Sequence, residues 1–347
     1  MLHQRQATQT AEDDTASDHD GLSVVIVTYR SAAVIGQCLR ALEQAMPEIR
    51  TEVIVVDNAS ADDTVTVARS AAPEARIIEQ DHNDGFAQGC AAGASAAAGR
   101  WLLFLNPDTV IAADAIQALL NCARSHPSAG IFGGRFVHED GTIDPRSWWG
   151  KPTPWSALCF AIGLNSILAG SPIFDREASR PWAAGLREVR SVPVVSGAFM
   201  MMKRDLWHEL GGFDPVFFMY GEDADLCLRA AKIGYRPVVT AQAVCHHSGG
   251  KSSSGAQKMI LLFTGKATIV HRHFPFGLRR LGILMLLTGV FARSTASRWY
   301  EASAARQGRP TTSGEDWRAL WASREAWRHG WSRAARPGRP SEDPAGD

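Results

Sequence analysis

The sequence lacks the charge and cysteine patterns that mark two large classes of protein. Its 36 Lys and Arg residues are matched by 36 Asp and Glu residues, so the chain has no basic excess of the kind that nucleic-acid-binding proteins carry. Six cysteines are present, but they form no CxxC pair and most lie in apolar segments, which indicates buried, reduced thiols in a cytoplasmic protein. These absences argue against nucleic acid as the main partner and against a disulfide-rich secreted fold.

Long apolar runs are also missing. The strongest candidate, residues 281–291, has about 11 residues, whereas a helix that crosses a bilayer needs roughly 20. Residues 1–20 are polar and acidic and lack the apolar core of a signal peptide. The sequence therefore predicts a disordered leader at 1–20 and a disordered tail at 336–347.

Glycine-rich phosphate-binding turns are missing as well. The first apolar run is followed by TYRSAAV rather than G-x-G-x-x-G, and no Walker loop occurs. A dinucleotide-binding fold needs those glycines because its backbone must approach a pyrophosphate closely. An NAD-dependent oxidoreductase is therefore a remote alternative, kept open because Asp57 at the end of an apolar run resembles a ribose-binding acid.

The sequence does contain a regular alternation of short apolar runs and helical patterns. Runs at 22–29 and 52–58 are typical of strands that are buried on both faces, and runs at 75–80 and 101–108 predict two further strands. Helical patterns follow each of them, and the alternation continues with a strand near 129–137, regular segments at 192–204 and 235–247, and a helix at 222–234. This order predicts an α/β fold with a doubly wound, mostly parallel sheet flanked by helices.

Polar residues follow the predicted strands at the edge where ligands bind in open parallel sheets. Asp108 stands on a turn fixed by Pro107, and such a carboxylate is a natural ligand for Mg²⁺ or Mn²⁺, although the short motif alone is more typical of an Asp-capped turn. The residues at these ends are Thr28-Tyr29, Asp57-Asn58, Asn83-Asp84-Gly85 and Asn106-Pro107-Asp108.

The stretch MYGEDADLCLR places three carboxylates within four positions after an aromatic approach. The helix dipole favours acids in a first helical turn, which is one explanation. The other explanation is an active site in which one carboxylate works as a base. Asp225 lies four residues before Arg229, so we expect it to form a structural ion pair along the helix.

Taken together, these segments resemble an inverting family 2 glycosyltransferase of the GT-A fold, and more narrowly the rhamnosyltransferase-like branch that builds bacterial surface polysaccharides. The resemblance implies a GT-A domain over 21–255 with an insertion at about 138–190, followed by basic, apolar helices over 256–335. The matching segments occur in the family's order: SVVIVTYRSAAVIGQCLRAL, EVIVVDNAS, NDGFAQGCAAG, LLFLNPDTVI, VSGAFMMMKRDLWHELGGFDPVFFMYGEDADLCLR and HSGGKSS.

The resemblance also implies roles for single residues. Asp108 matches a metal ligand, and Asn106 replaces the first acid of the family's D-x-D motif. His247, rather than its neighbour His246, matches a histidine that completes metal or diphosphate binding. The catalytic base lies in the pair Glu222-Asp223; adjacent helical residues point about 100° apart, so we select Asp223 and keep Glu222 as the alternative or as a positioning partner. Residues implied to contact the nucleotide are Thr28, Tyr29, Asp57, Asn58, Asn83, Gly85, Phe86 and Asn106.

Candidates for binding the acceptor or the donor sugar lie in the insertion and after it. Arg146, Trp148 and Trp149 suit an acceptor platform because aromatic faces stack on sugars and Arg pairs with phosphate; a hydrophobic cap on the sheet is the alternative. Ser196, Gly197 and Ala198 end an apolar segment where small side chains let a substrate approach the backbone.

The expected reaction is transfer of a sugar from a nucleoside-diphosphate sugar to a glycan or lipid-linked acceptor. The narrower resemblance favours dTDP-rhamnose, with UDP-galactofuranose, UDP-glucose or a UDP-N-acetylhexosamine as alternatives. A non-catalytic scaffold would not need Asp108, Asp223 and His247 together.

Two basic, apolar segments suit contact with the inner leaflet of an anionic membrane, namely 281–291 and 315–333. Packing of these segments against the domain or a partner subunit is the alternative. In the second segment, the apolar residues that share one helical face are Trp317, Leu320, Trp321, Trp327 and Trp331.

Overall fold

A computed structural model describes residues 21–138, 140–178, 188–247, 255–306 and 314–332. The predicted leader at 1–20 and the predicted tail at 336–347 lie outside the described residues. The side chain of His247 and the side chains of residues 298–306 are also outside the described part of the chain.

The first half of the chain alternates strands and helices as the sequence predicts. Every residue of the first strand is buried, as expected for an apolar run between two helical layers. The elements are β1 (Leu22–Thr28), α1 (Ile35–Gln44), β2 (Thr51–Asp57), α2 (Thr64–Ala71), β3 (Arg76–Glu79), α3 (Phe86–Ala96), β4 (Trp101–Leu105), β5 (Thr109–Ile111), α4 (Ala115–Ser125) and β6 (Ile131–Val137).

The second half begins with short elements and ends in helices. One 3-10 turn, at Pro145–Ser147, precedes the first of these strands, and a second, at Phe276–Leu278, lies between two of the C-terminal helices. The elements are β7 (Trp148–Trp149), α5 (Pro154–Ala161), α6 (Leu164–Ile167), β8 (Val189–Ser191), β9 (Val194–Val195), β10 (Phe199–Lys203), α7 (Arg204–Leu210), α8 (Glu222–Lys232), β11 (Val238–His247), α9 (Gly255–His273), α10 (Arg279–Arg306), α11 (Gly314–Ala322) and α12 (Arg324–Trp327).

Nine of the described strands form one sheet in the order β3-β2-β1-β4-β10-β6-β11-β5, with β8 paired to β11. Strands β3, β2, β1 and β4 run parallel, so their carboxyl ends lie at one edge. Strand β10 runs antiparallel between β4 and β6. The predicted α/β fold with a doubly wound sheet is confirmed, and the antiparallel strand at its centre is an addition that the apolar runs did not reveal.

The sheet separates two hydrophobic clusters. In β1, Val25 and Val27 belong to the cluster beside α3 and α8, whereas Val24 and Ile26 belong to the cluster beside α1 and α4. This alternation follows from the two-residue period of a strand. Both faces are covered, so the site must lie at the edge of the sheet rather than on a face.

The apolar face of the C-terminal tail is buried within the chain. Leu320 and Trp327 are fully buried in a third cluster with residues of α9 and α10, and Trp331 is also buried. Trp317 and Trp321 pack against that cluster. The prediction of a membrane-facing tail is therefore wrong for this face, because α9 and α10 supply the apolar surface that covers it.

The predicted segment 281–291 lies inside the 28-residue helix α10, which is longer than the apolar run. Leu286 and Val290 face inward, while Leu281, Leu284 and Phe291 are exposed. Among the described residues, each helix is too short or too polar to cross a bilayer.

A buried carboxylate joins α8 to α9. Asp225 is fully buried and accepts hydrogen bonds from Arg229 at 2.7 Å, Arg272 at 3.1 Å and His273 at 2.8 Å, which includes the predicted ion pair along the helix. Burial alone would raise the pKa of Asp225. The hydrogen bond from His273 and the charges of the two arginines outweigh it and lower the pKa to about 2.

We expect Asp225→Asn to lower the free energy of unfolding by about 3–5 kcal/mol at pH 7, because two arginines lose their shared carboxylate. The folded pKa lies below the ordinary value of about 3.9, so this stabilisation is present above pH 4 and is lost as the pH falls through about 2. Urea denaturation at pH 7 measures the loss. Asp223→Asn is the matched control, and equal destabilisation by both variants would contradict the assignment.

Candidate active site

The carboxyl ends of β1 and β2 form the floor of the candidate site. Thr28 Oγ1 donates a hydrogen bond to Asp57 Oδ1 at 2.9 Å, and the Ser60 amide donates to Asp57 Oδ2 at 2.8 Å. Thr28, Asp57 and Asn58 are buried, whereas the Tyr29 ring is exposed. The chain thus fixes the Asp57 carboxylate in one orientation, while its remaining lone pairs can still accept from a ligand hydroxyl.

The loop after β3 is tied to this floor and to the segment before α8. Asn58 Nδ2 donates to the Gly85 carbonyl at 3.1 Å, and the Gly85 amide donates to Asn83 Oδ1 at 2.9 Å. The Phe86 amide donates to the Phe218 carbonyl at 2.8 Å. Gly85 has a φ of 87°, and a Cβ at this position would lie 2.2 Å from that carbonyl oxygen, so a larger residue cannot fit.

The turn between β4 and β5 presents oxygen atoms at the same edge. The Asn106 amide donates to the Ala198 carbonyl at 3.0 Å, while Asn106 Oδ1 is buried and has no hydrogen-bond partner among the described residues. Asp108 follows on the half-buried turn. An unpartnered amide oxygen next to a carboxylate suits a hard divalent cation, because Mg²⁺ binds one or two such groups together with substrate phosphates.

The second predicted metal ligand lies close to this turn along the backbone. His247 pairs with Thr109 in the antiparallel register of β11 and β5, so it is at the same end of the sheet as Asp108. Its side chain is outside the described residues. Within the described part of the chain, no cluster of three or more His, Cys, Asp or Glu residues could hold a metal. A cation here would therefore depend on Asn106 Oδ1 and on substrate oxygens as well as on Asp108.

Arg146 is held near the same turn by a buried acid. Asp144 is fully buried and accepts from Arg146 Nε at 2.9 Å and from Nη2 at 2.5 Å. The hydrogen bond to Asp144 raises the pKa of Arg146, and the negative charge of Asp108 adds to the effect. About one third of the Arg146 side chain remains exposed to a ligand.

The two tryptophans of β7 differ in environment. Trp148 is buried in the core, whereas Trp149 is exposed. They pair with Val195 and Val194 of β9, directly before Ser196, Gly197 and Ala198. The hydrophobic alternative therefore applies to Trp148, and of the pair only Trp149 is exposed to a ligand.

The acidic pair, Glu222 and Asp223, begins helix α8. Asp223 Oδ2 accepts from the Gly197 amide at 3.2 Å and its Oδ1 accepts from the Ala224 amide at 2.7 Å; burial raises its pKa. Glu222 is 5% exposed, and its Oε2 has no hydrogen-bond partner among the described residues. Burial, followed by the charge of Asp223, raises the pKa of Glu222 to about 8. Such a pair can hold and release a proton near neutral pH.

Gly197 and Ala198 connect the two halves of the candidate site. Gly197 donates to Asp223 of the acidic pair, and Ala198 accepts from Asn106 of the turn after β4. A Cβ at Gly197 would lie 3.4 Å from the Asp223 Cβ and 3.5 Å from the Phe86 ring. The structure thus brings the predicted base, the predicted metal turn and the predicted nucleotide loop to one place.

Comparisons with known proteins match this arrangement. A family model described as Glycosyl transferase family 2 matches residues 23–211, which is 189 of 347 residues, and one described as Glycosyl transferase family group 2 matches residues 178–334. The chain belongs to glycosyl transferase family 2. The predicted family is therefore confirmed.

Two curated relatives narrow the position of this glycosyltransferase within the family. It is 30% identical over 248 residues to the N-acetylglucosaminyl-diphospho-decaprenol L-rhamnosyltransferase of Mycobacterium tuberculosis, covering 66% of this chain and 76% of that protein. It is 26% identical over 230 residues to the low-salt glycan biosynthesis hexosyltransferase Agl10 of Haloferax volcanii, covering 64% and 66%. The predicted rhamnosyltransferase-like branch is confirmed.

A solved structure supports the fold of this glycosyltransferase. The mannosyltransferase PcManGT from Pyrobaculum calidifontis, solved in complex with GDP-Man and Mn²⁺, superposes with a TM-score of 0.54 and covers 88% of this chain and 86% of its own. At 18% sequence identity the likeness concerns the fold alone.

The sequence of this glycosyltransferase did not predict that Trp331 supports the candidate site. Trp331 Nε1 donates to the Met219 carbonyl at 3.1 Å, its amide donates to Thr268 Oγ1 at 2.7 Å, and its ring lies 5.7 Å from that of Phe218. Trp331 therefore supports the segment that leads into the acidic pair. No local pattern could reveal this contact, because 112 residues separate Trp331 from Met219.

We expect Glu222→Gln to reduce the pH dependence of stability. With a folded pKa of about 8 and an unfolded value near 4.3, Glu222 keeps a proton on folding that the unfolded chain releases, so wild-type stability should fall as the pH rises from about 4.3 to 8. The glutamine carries no such proton, so the variant should be the more stable protein at pH 8. Urea midpoints from pH 5 to pH 8 measure this. Identical slopes for wild type and variant would refute the buried, protonated state.

Proposed function

We propose that this glycosyltransferase transfers a sugar from a nucleoside-diphosphate sugar to a hydroxyl group of a lipid-linked glycan, with inversion at the anomeric carbon. The observation that carries the proposal is the bridge formed by Gly197 and Ala198. The Gly197 amide donates to the Asp223 carboxylate, and the Ala198 carbonyl accepts from the Asn106 amide, so the two groups are held by adjacent residues. A base and a diphosphate-binding turn at that separation suit a direct displacement between an acceptor and a nucleotide sugar.

The proposed donor is dTDP-rhamnose, and the proposed acceptor is an N-acetylglucosamine-containing glycan on a polyprenyl diphosphate. Support comes from the Mycobacterium tuberculosis relative, whose name gives an L-rhamnosyltransferase acting on N-acetylglucosaminyl-diphospho-decaprenol. UDP-galactofuranose, UDP-glucose and UDP-N-acetylhexosamine are the competing donors, and they differ from dTDP-rhamnose in the nucleotide as well as the sugar.

In the proposed complex, the nucleoside lies on the floor formed by β1 and β2. The Asp57 carboxylate, oriented by Thr28 and the Ser60 amide, accepts from a hydroxyl group of the nucleoside sugar, which is a deoxyribose in dTDP. The exposed Tyr29 ring offers a face for the base. The loop of Asn83, Gly85 and Phe86 closes the other side of the nucleotide.

The proposed mechanism is a single displacement. The acceptor oxygen forms a bond to the anomeric carbon while the bond from that carbon to the diphosphate oxygen breaks, and the hydroxyl proton passes to Asp223. Burial raises the pKa of Asp223 and makes it a stronger base. Burial, followed by the charge of Asp223, raises the pKa of Glu222 to about 8, so Glu222 holds its own proton at neutral pH.

The leaving diphosphate meets positive charge at the other end of the site. We assign Asp108 and Asn106 Oδ1, with His247, as the ligands of Mg²⁺ or Mn²⁺; when bound, such a cation stabilises the negative charge of a departing diphosphate. Arg146, fixed by the buried Asp144, supplies a guanidinium that pairs with a phosphate oxygen.

We expect a nucleoside diphosphate to raise the melting temperature only with metal and only when Asp108 is present. At about 100 times its dissociation constant a ligand adds roughly 2.7 kcal/mol, which moves the midpoint by several degrees. Thermal shifts with dTDP, UDP, GDP and NAD, each with and without Mn²⁺, compare wild type, Asp108→Ala and the control Asp205→Ala, whose acid is exposed on α7. The dTDP shift should survive only in wild type and the control. A shift from NAD alone would revive the oxidoreductase.

We expect Asp223→Asn to reduce sugar transfer by about 10²- to 10⁴-fold while the nucleotide-induced thermal shift remains, because the variant loses a base but keeps the donor floor. Release of dTDP from dTDP-rhamnose in the presence of a soluble acceptor measures the rate, and NMR of the product gives the anomeric configuration. Glu222→Gln should retain more activity than Asp223→Asn. Near-normal transfer by Asp223→Asn would show that another group is the base.

A further inference from the structure

The charges of the chain are unevenly distributed. Residues 226–300 contain no Asp or Glu but eleven Lys and Arg residues, although the whole chain carries 36 of each sign. Some of these cations pair with acids from other parts of the chain, as Arg272 does with Asp214 at 2.5 Å. Arg279 and Arg280 form no ion pair within the described residues; Arg279 donates to a backbone carbonyl and lies over an aromatic ring, and Arg280 is exposed. The turn between α9 and α10 therefore carries uncompensated positive charge.

Large apolar side chains surround these arginines. Phe276 at the tip of the turn is 86% exposed, Leu284 is 57% exposed, Leu281 is 42% exposed and Leu278 is 37% exposed. Single exposed apolar residues are common, but a group of four with a basic rim marks an interaction surface. We name this group the hairpin surface, consisting of Phe276, Leu278, Arg279, Arg280, Leu281 and Leu284.

The exposure of this surface is built into helix α10. The opposite side of the helix is used for packing, since Gly282 lies against Val270 and Phe274 and a Cβ there would approach Val270 within 2.8 Å. Leu286 is buried one turn further along. Leu281 and Leu284 lie three positions apart on the outer side of the helix, and Leu278 precedes them in the 3-10 turn Phe276–Leu278. The helix cannot turn this apolar face inward without losing the close contact at Gly282.

We propose that the hairpin surface docks on an anionic lipid bilayer. Apolar side chains that enter the acyl boundary, next to arginines at the level of the headgroups, are the pattern of interfacial membrane binding. The Arg279 guanidinium lies 5.6 Å from the centroid of the Phe276 ring, so the charge and the most exposed apolar group of the surface are adjacent. The 75 residues that include this surface contribute no Asp or Glu of their own that would repel anionic lipids.

Docking at this surface would also fix the position of the acidic pair, Glu222 and Asp223, with respect to the membrane. His273, directly before the turn, holds Asp225 at 2.8 Å, and Asp225 lies two residues after Asp223 on α8. The hairpin surface is thereby fixed to the helix that carries the proposed base. Membrane docking deepens the proposed function and, for the acceptor, rests on it. A site held close to the bilayer would meet a lipid-linked glycan at the membrane surface.

The test uses the full chain and sedimentation with vesicles of phosphatidylcholine, alone or mixed with phosphatidylglycerol. The wild type should bind the anionic vesicles, and the binding should weaken with salt and be much weaker on neutral vesicles. Each arginine near the surface contributes about 1 kcal/mol, so Arg279→Gln with Arg280→Gln should weaken binding roughly twentyfold to thirtyfold. Phe276→Ser with Leu284→Ser should have at least a similar effect. Met46→Ser is the control, because Met46 is an exposed apolar residue far from the hairpin surface in sequence. This variant should bind as wild type does.

Several results would overturn the inference. Equal binding of wild type to neutral and anionic vesicles, unchanged binding by both double variants, or an equal loss in Met46→Ser would each do so. Dissociation of a wild-type dimer by the double variants in the absence of vesicles would assign the surface to a second copy of the chain instead. Vesicle binding requires no turnover, so a failure of the proposed reaction would appear separately, as an absence of transfer to a soluble acceptor by the wild type.

Discussion

The buried carboxylate of Asp225 holds the acidic helix α8 to the C-terminal helices. Arg229 reaches it from the same helix, and His273 reaches it from the end of α9. Asp225 has a pKa of about 2, whereas Glu222, three positions earlier, has a pKa of about 8. Within one turn of helix, the surroundings of Asp225 stabilise its negative charge, whereas those of Glu222 oppose it. This difference distinguishes the structural acid from the acids suited to proton transfer.

The floor of the site could be predicted from the sequence because a parallel sheet brings the carboxyl ends of its strands to one edge. Thr28, Asp57 and Asn106 follow from that rule alone, and the structure places them at that edge. The direction of β10 could not be predicted, because a strand buried on both faces has the same apolar pattern in either direction. The two-residue strand β7 was likewise too short to show which of Trp148 and Trp149 faces the core.

The C-terminal helices show a second limit of the sequence pattern. An apolar helical face indicates that another surface packs against it, but the pattern does not identify that surface. The faces of α11 and α12 meet α9 and α10, and Trp327 is fully buried there. Within the described part of the chain, the outer face of α10 has no such neighbour, as the exposure of Leu284 shows. Apolar segments of similar composition are thus buried in α11 and α12 but exposed on α10, because tertiary packing determines which of them is covered.

The contact of Trp331 with Met219 has a consequence for the order in which the protein is made. The floor of β1 and β2 and the acidic helix leave the ribosome first, and Trp331 follows its partner by 112 residues. At a synthesis rate of about 5–20 residues per second, this interval is on the order of ten seconds. During that time the Met219 carbonyl and the Phe218 ring lack their indole partner. In a nascent chain, β1 and β2 are therefore available for pairing before the contact behind the acidic pair can form.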